Sequence, residues 1–448
     1  MKENHYNDLV HNIVTDKLDA YWMPFTAVSR FHESPRFMVR ARDMYYEDSN
    51  GNRLMDGSAG LWCVNAGHYR ETINEAIQAQ LKELDFAHSF NAGHPAAFNY
   101  AQRLVEHFPD PLNHVFFTNS GSESVDTALK IALAYQKLRG QGSRTRLIGR
   151  EKGYHGMGFG GVSVGGLVKN RQAYGALLPG VDHLRHTLDQ ERNAFSRGLP
   201  DHGAELAEDL ERIVQLHGAD TIAAVIVEPV AGAGGVILPA KGYLERLREI
   251  CTQHGILLIF DEVITGFGRL GAMTAAEKFN VIPDIITTAK GITNATIPMG
   301  GVSVTSDIYG TFMSSGDGGV EFSHGYTYSG HPVACAAGMA TLDIYESEGL
   351  FDRVNDQGNH WMDSLLSLKD EPNVIDVRCL PMIGAIEVAA RDGAPMERGG
   401  EIARRCYEKG LFARNIGDSI VLSPPLIITE AQISEIVGII GESIRETA

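Results

Sequence analysis

ILLIFDEV, Ile256 to Val263, and IITTAKG, Ile285 to Gly291, are short apolar runs that each end in a functional group, Asp261 in the first and Lys290 in the second. An apolar run without alternation is what a strand buried on both faces of a sheet requires. Open α/β sheets place their ligands beyond the C-terminal ends of such strands. A carboxylate there is costly to bury without a cationic partner. A lysine there, followed by Gly291, favours a buried amine of lowered pKa. Together the two groups suit a planar pyridinium aldehyde. The lysine would form a Schiff base and the aspartate would keep the ring nitrogen protonated, which is pyridoxal phosphate (PLP) chemistry. Read singly, each has an ordinary use: Asp261 as a helix cap or partner of Arg269, Lys290 as a solvated lysine. Glu262 falls on the other side of the strand and need not share the role.

The pattern extends outward from these two runs. Strands are expected at 114–119, 146–150, 223–229, 256–263, 285–290 and 300–306. Amphipathic stretches lie between several of them, such as 205–218 and 242–255, each closed by a glycine that suits a helix C-cap. Alternating strands and helices of this kind build a mostly parallel α/β sheet with helices on both sides. After Ser329-Gly330-His331-Pro332 the character changes to a long helical pattern. From about residue 370 onward, short strands (VIDVRC, GAIEVAA, SIVLSPP) mix with helices around 400–409 and 430–445. The N-terminal FMVRARDMYYEDSNG reads as strand with a turn at Ser49-Asn50-Gly51. The expectation is a large domain at 61–330 and a smaller α+β domain built from both termini, 1–60 and 331–448.

At 448 residues the chain is long enough for two cores. A net charge of −17 disfavours a nucleic-acid partner, which needs clustered Lys and Arg, so any anion site must be built locally. The five cysteines (63, 251, 335, 379, 406) have no CxxC spacing and suit reduced thiols. MKENHYNDLVHN lacks the apolar region of a signal peptide, and GILLIF is far too short to span a membrane. A cytoplasmic protein without membrane partner or metal is expected.

Other motifs add candidates. FFTNSGSESVDTALKIALAY, 116–135, is a strand, a Gly/Ser turn and a helix. Such a helix start binds anions through backbone N–H groups; Gly121 allows close approach and Ser122 can donate. SGSE also fits a plain capping box. In GYHG, 153–156, Tyr154 can stack on a flat ring or serve simply as packing. Glu228 ends the run AAVIVEP, where it can face a cofactor's phenolic side or hold a mobile arginine. Thr327 in HGYTYSGHP is a candidate phosphate donor, and Arg414 in LFARNIGD a candidate carboxylate clamp through its bidentate fork. Structural roles are the ordinary alternatives for all three.

With these residues placed, the chain resembles the class III PLP-dependent aminotransferases of fold type I, and among them the ω-amino acid:pyruvate (β-alanine:pyruvate) aminotransferases, or ω-transaminases. The resemblance runs from about Tyr21 (YWMPFT) to the C-terminus, nearly the whole chain, and rests on specific motifs. They are DGSAGLWCVNAGH (56–68), TNSGSESVDTALK (118–130), KGYHG (152–156), EPV (228–230), FDEVITGFGRLG (260–271), TTAKGI (287–292) and TYSGHP (327–332). The resemblance implies that Lys290 is the Schiff-base lysine and proton shuttle and Asp261 the pyridinium partner. It also implies that Tyr154 and Val263 pack on the two ring faces. Gly121 and Ser122 would hold the phosphate together with Thr327 of a second subunit, in a homodimer or a tetramer made as a dimer of dimers. Phe25, Trp62 and Tyr154 would line the substrate pocket, and Arg414 would take the carboxylate of pyruvate.

The implied reaction is ping-pong transamination through pyridoxamine phosphate, from an ω-amino acid or primary amine to pyruvate or a similar keto acid, giving alanine and an aldehyde or ketone. An aminomutase or decarboxylase on the same scaffold is the nearest rival, because fold does not dictate reaction. A regulatory protein without turnover is the rival of another class; the presence of both Lys290 and Asp261 weighs against it.

Overall fold

Across residues 15–315 and 318–448, which the computed structural model describes, the apolar runs meet in one seven-stranded sheet. The chain first lays down β1 (Met38–Arg42), β2 (Tyr45–Asp48) and β3 (Arg53–Asp56). The large sheet then takes β4 (His114–Thr118), β5 (Arg146–Arg150), β6 (Val181–Leu184), β7 (Ile222–Val227), β8 (Leu257–Asp261), β9 (Ile285–Ala289) and β10 (Gly300–Val304). Their spatial order is β4-β10-β9-β8-β7-β5-β6. β10 runs antiparallel to both neighbours, and the other adjacent pairs are parallel. β7 to β10 are buried at every position, as their unbroken apolar patterns require.

Successive residues of β8 divide between two cores, as side chains alternating across a strand must. Leu257 and Ile259 join Val125, Ala128 and Ala132 of helix Gly121–Leu138. Leu258 and Phe260 join Leu244 and Leu247 of helix Tyr243–His254. That second helix ends at Gly255 in the left-handed conformation (φ 64°), the C-cap that its glycine predicts. The stretch expected as one helix over 205–218 is instead a 3-10 turn, Ala204–Glu208, followed by helix Asp209–His217. The break falls at Asp209, whose carboxylate accepts from the backbone N–H and guanidinium of Arg185. β6 was not expected: VDHL is short, carries Asp182 and His183, and stands at the sheet edge.

The remaining strands are β11 (Val374–Leu380), β12 (Ile383–Val388), β13 (Leu411–Phe412), β14 (Arg414–Ile416) and β15 (Ser419–Leu422). β11-β12-β15-β14 form an antiparallel sheet. β13 pairs in parallel with β3, so the two ends of the chain share the sheet β1-β2-β3-β13. The N-terminal run read as one strand is a hairpin broken at Asp43 (φ 53°). All five cysteines are free. No helix among the described residues is long and apolar enough to cross a membrane.

Glu262 shows what the residue next to Asp261 does. Fully buried, it accepts the backbone N–H groups of Ala275 and Ala276, and that of Ala276 lies at 2.9 Å. These are first-turn donors of helix Ala275–Phe279, which lack partners within their own helix. Glu262→Ala would leave both buried donors unpartnered and should cost about 2–4 kcal/mol of stability. Urea denaturation of the variant checks this; an unchanged midpoint would mean that water replaces the carboxylate freely.

Candidate active site

β8 and β9 are parallel neighbours in register, with Asp261 opposite Thr287, so their C-terminal groups open on the same side of the sheet. Asp261 is buried. Its Oδ1 accepts from the Val263 N–H and the Thr287 hydroxyl, both at 3.2 Å, and its Oδ2 lies 2.8 Å from His155 Nδ1. It makes no ion pair with lysine or arginine among the described residues. Arg269, its alternative partner from sequence, is fully buried elsewhere and donates to Met382 O, Pro424 O and Asn65 Oδ1.

Lys290 follows β9 with its backbone in the left-handed region (φ 54°). Gly291 must come next because a Cβ there would stand 2.8 Å from both Asn65 Nδ2 and Phe267 Cβ. Lys290 is half-buried and lines the cleft. The surrounding protein lowers its pKa to about 8, burial outweighing the opposing pull of Cys63, Asp261 and Glu228.

Gly121, Ser122, Tyr154, Glu228, Asp261, Val263 and Lys290 line one cleft, together with His155, Gly156 and Ile264. At its helical wall, Ser120 caps helix Gly121–Leu138 by accepting the Glu123 N–H at 3.2 Å. Capping and anion binding are therefore compatible here, because Ser120 does the first and leaves the Gly121 and Ser122 N–H groups without intrahelical partners. A Cβ at Gly121 would come within 3.0 Å of the Val263 methyls, which accounts for glycine there.

Among the described residues, no arginine pairs with the Glu228 carboxylate. It accepts the N–H groups of Tyr154 at 2.8 Å and Gly232 at 3.0 Å, fixing the loop that carries the Tyr154 ring. Burial, reinforced by Asp261, raises its pKa to about 7. Burial also raises the Tyr154 phenol, with Asp261 and Glu228 adding to it.

The Trp62 ring centroid lies 5.9 Å from Lys290 Nζ. Arg414 is half-buried, its charge is felt at Lys290 and Tyr154, and burial lowers its pKa. Phe25 and Thr327 are exposed and do not line the cleft of the single chain. His155, within GYHG, carries no role that its sequence position alone would assign. Its fully buried ring on Asp261 is a tertiary contact, and the histidine beside Tyr154 was its one sequence signal.

The class-III aminotransferase family model matches residues 27–444. The chain belongs to that family. An omega-aminotransferase of Caulobacter vibrioides is 56% identical over 94% of this chain and 96% of that protein. A beta-alanine–pyruvate aminotransferase of Pseudomonas aeruginosa is 46% identical over 96% of both. Among solved structures, an (S)-enantioselective omega-transaminase of Thermomicrobium roseum superposes with a TM-score of 0.90 at 36% identity, covering 97% of this chain and 98% of that one. A PLP-bound amine transaminase from an uncultivated Pseudomonas species does so with 0.89 at 37% identity, covering 96% and 99%. This is a PLP-dependent aminotransferase of fold type I, acting on an amine donor and a keto acid.

The cleft fits that cofactor. It offers an amine of lowered pKa, a buried carboxylate without a lysine or arginine partner, and a helix N-terminus with a hydroxyl beside it. Only the free base of an amine attacks an aldehyde. Were Lys290 the capturing amine, uptake of PLP by the cofactor-free protein would accelerate about tenfold per pH unit below its pKa and level off above it. Stopped-flow absorbance from pH 6 to about 10.5 reads this profile. A rate still climbing at the top of that range would mean that Lys290 keeps an ordinary amine.

Proposed function

We propose that this chain transfers the amino group of an ω-amino acid or primary amine to pyruvate, giving alanine and an aldehyde or ketone. Relatives named for β-alanine or ω-amino acids with pyruvate support the choice, at 45–46% identity over nearly the whole chain. The observation that carries it is a guanidinium without a carboxylate. Arg414 makes no ion pair among the described residues, yet it is half-buried within electrostatic reach of Lys290. Such a group suits a substrate carboxylate that comes and goes.

In this reading Lys290 carries the cofactor covalently and, once freed as a base, moves a proton to and from the reacting carbon. PLP supplies an electron sink for the pair left on that carbon. Asp261, whose carboxylate Thr287 and His155 hold in place, would keep the ring nitrogen charged. Tyr154, whose backbone Glu228 fixes, and Val263 would hold the ring. The N–H groups of Gly121 and Ser122 bind the phosphate. Trp62 and Phe25 shape the amine pocket. A homodimer follows if Thr327, exposed in one chain, completes the phosphate cup of another.

Alanine formed from pyruvate and a panel of amines tests the reaction; carbon dioxide release or migration of the amino group within one substrate would instead mark a decarboxylase or a mutase. Borohydride reduction should place a pyridoxyl group on Lys290, and Lys290→Ala should lose transamination by several orders of magnitude while still binding PLP. A label on Lys130 or Lys152 would sink the assignment. Arg414→Ala removes a two-pronged, charge-assisted contact and should cost about 1.5–3 kcal/mol for pyruvate. The Michaelis constant for pyruvate should rise roughly tenfold to a hundredfold, with that for a carboxylate-free aromatic amine nearly unchanged. Equal weakening of both would give Arg414 a purely structural task.

A further inference from the structure

The turn that presents Trp62 is bent against the preference of its own residues. Ala59 (φ 43°) and Trp62 (φ 63°) are both left-handed, with Gly60 (φ 64°) between them. Residues with a Cβ rarely adopt this conformation, and it persists where the surroundings over-determine it. On one side the turn is stitched to the C-terminal strands: the Gly57 N–H donates to Phe412 O at 3.0 Å, and the Ser423 N–H to Gly57 O at 2.9 Å. That seam ends at Ser58, whose carbonyl accepts from the Ser423 hydroxyl at 3.2 Å.

Beyond the seam, the side chain that braces the turn is Asp56. It is wholly buried. Its Oδ1 accepts the Ser58 N–H at 3.0 Å, and its Oδ2 accepts the Gly60 N–H at 2.7 Å. His68 Nε2 closes on the same Oδ2 at 2.9 Å, and the Tyr46 ring lies against His68 with centroids 4.4 Å apart. Opposite this brace, Trp62 is wedged so closely on Gly232 that any Cβ there would overlap its ring and press on Ile264, a residue of the cleft wall. The bent backbone and the wedged ring place Trp62 with its ring centroid 5.9 Å from Lys290 Nζ.

We propose that Asp56, held by His68, is a positioning residue for substrate selection: through the strained Ala59–Trp62 turn it sets the Trp62 wall against the cleft. The inference rests on the reading of Trp62 as a wall of the amine pocket. Asp56 touches no substrate and no reacting atom. Its effect is on which amines fit, not on the chemical step. A wall released from its brace discriminates less between a bulky amine and a small one, because close fit is what separates them.

The test uses the PLP-loaded full-length enzyme with pyruvate in excess. Its readout is the ratio of kcat/KM for 1-phenylethylamine to that for β-alanine. Asp56→Asn keeps the size but loses one acceptor oxygen, and should move this ratio about tenfold, the order carried by one charge-assisted hydrogen bond. The shift should have the direction produced by Trp62→Ala. Added to Trp62→Ala, Asp56→Asn should move the ratio by less than about twofold more, because a residue that acts through Trp62 has nothing left to act on. His68→Gln, which keeps an N–H donor, should preserve the ratio where His68→Ala moves it; this pair decides the matter if Asp56→Asn does not fold. Equal losses for both amines, or a shift that adds in full to that of Trp62→Ala, would overturn the proposal and leave Asp56 a stability residue. A silent Trp62→Ala would instead remove the wall reading itself, and the proposal with it.

Discussion

Two ionisable groups at the ends of adjacent parallel strands, Asp261 on β8 and Lys290 after β9, govern the organisation of this enzyme. Neither is cheap to bury. A carboxylate and an amine removed from water must be paired, hydrogen-bonded or neutralised. The protein does this asymmetrically. Asp261 receives a threonine hydroxyl, a backbone N–H and a histidine, which suit an ionised carboxylate. Lys290 receives aromatic and apolar surroundings, which press its pKa down to about 8. One group is held by three hydrogen-bonding partners and the other is brought close to its free base, an arrangement that suits a pyridinium aldehyde.

The rest of the cleft is arranged around that asymmetry. Glu228 adds a second carboxyl beside Asp261, but burial pushes it up to about 7, and its two hydrogen bonds go to the loop backbone. It therefore serves as a clamp on the Tyr154 and Gly232 segments. Glu262, next in sequence to Asp261, serves a helix start. Three buried carboxylates within one region thus have three tasks, and their partners, not their residue type, distinguish them.

The cleft also depends on chain ends that are remote in sequence. β3 and β13 bring residues 53–56 against 411–412, so the turn that carries Trp62 and the strand that begins at Arg414 are held by one seam. In the proposed reading the amine wall and the carboxylate clamp then share a foundation. Among the described residues the half-buried Arg414 has no carboxylate partner, while Trp62 stands at a left-handed φ of 63°.

Much of this was legible from residue order. Unbroken apolar runs required strands buried on both faces, and β7 to β10 are buried throughout. Strand-end groups in an α/β sheet converge, so Asp261, Lys290 and Glu228 could be grouped together from the sequence, and the family resemblance added Val263 to Gly121, Ser122 and Tyr154; all seven line one cleft. The edge strand β6 was missed because VDHL lacks an apolar run, and the split at Asp209 because periodicity does not register a carboxylate's distant partner. Residue order was enough to expect the sheet and to single out Asp261, Lys290 and the Gly121 helix start as candidates, since strand burial and local turn chemistry are written in neighbouring residues. The contacts of His155 with Asp261, of Glu228 with its loop, and of Asp56 with His68 beside the Trp62 turn arise from packing. Those are hydrogen bonds whose geometry exists only after distant or bent segments have packed, and no periodicity encodes them.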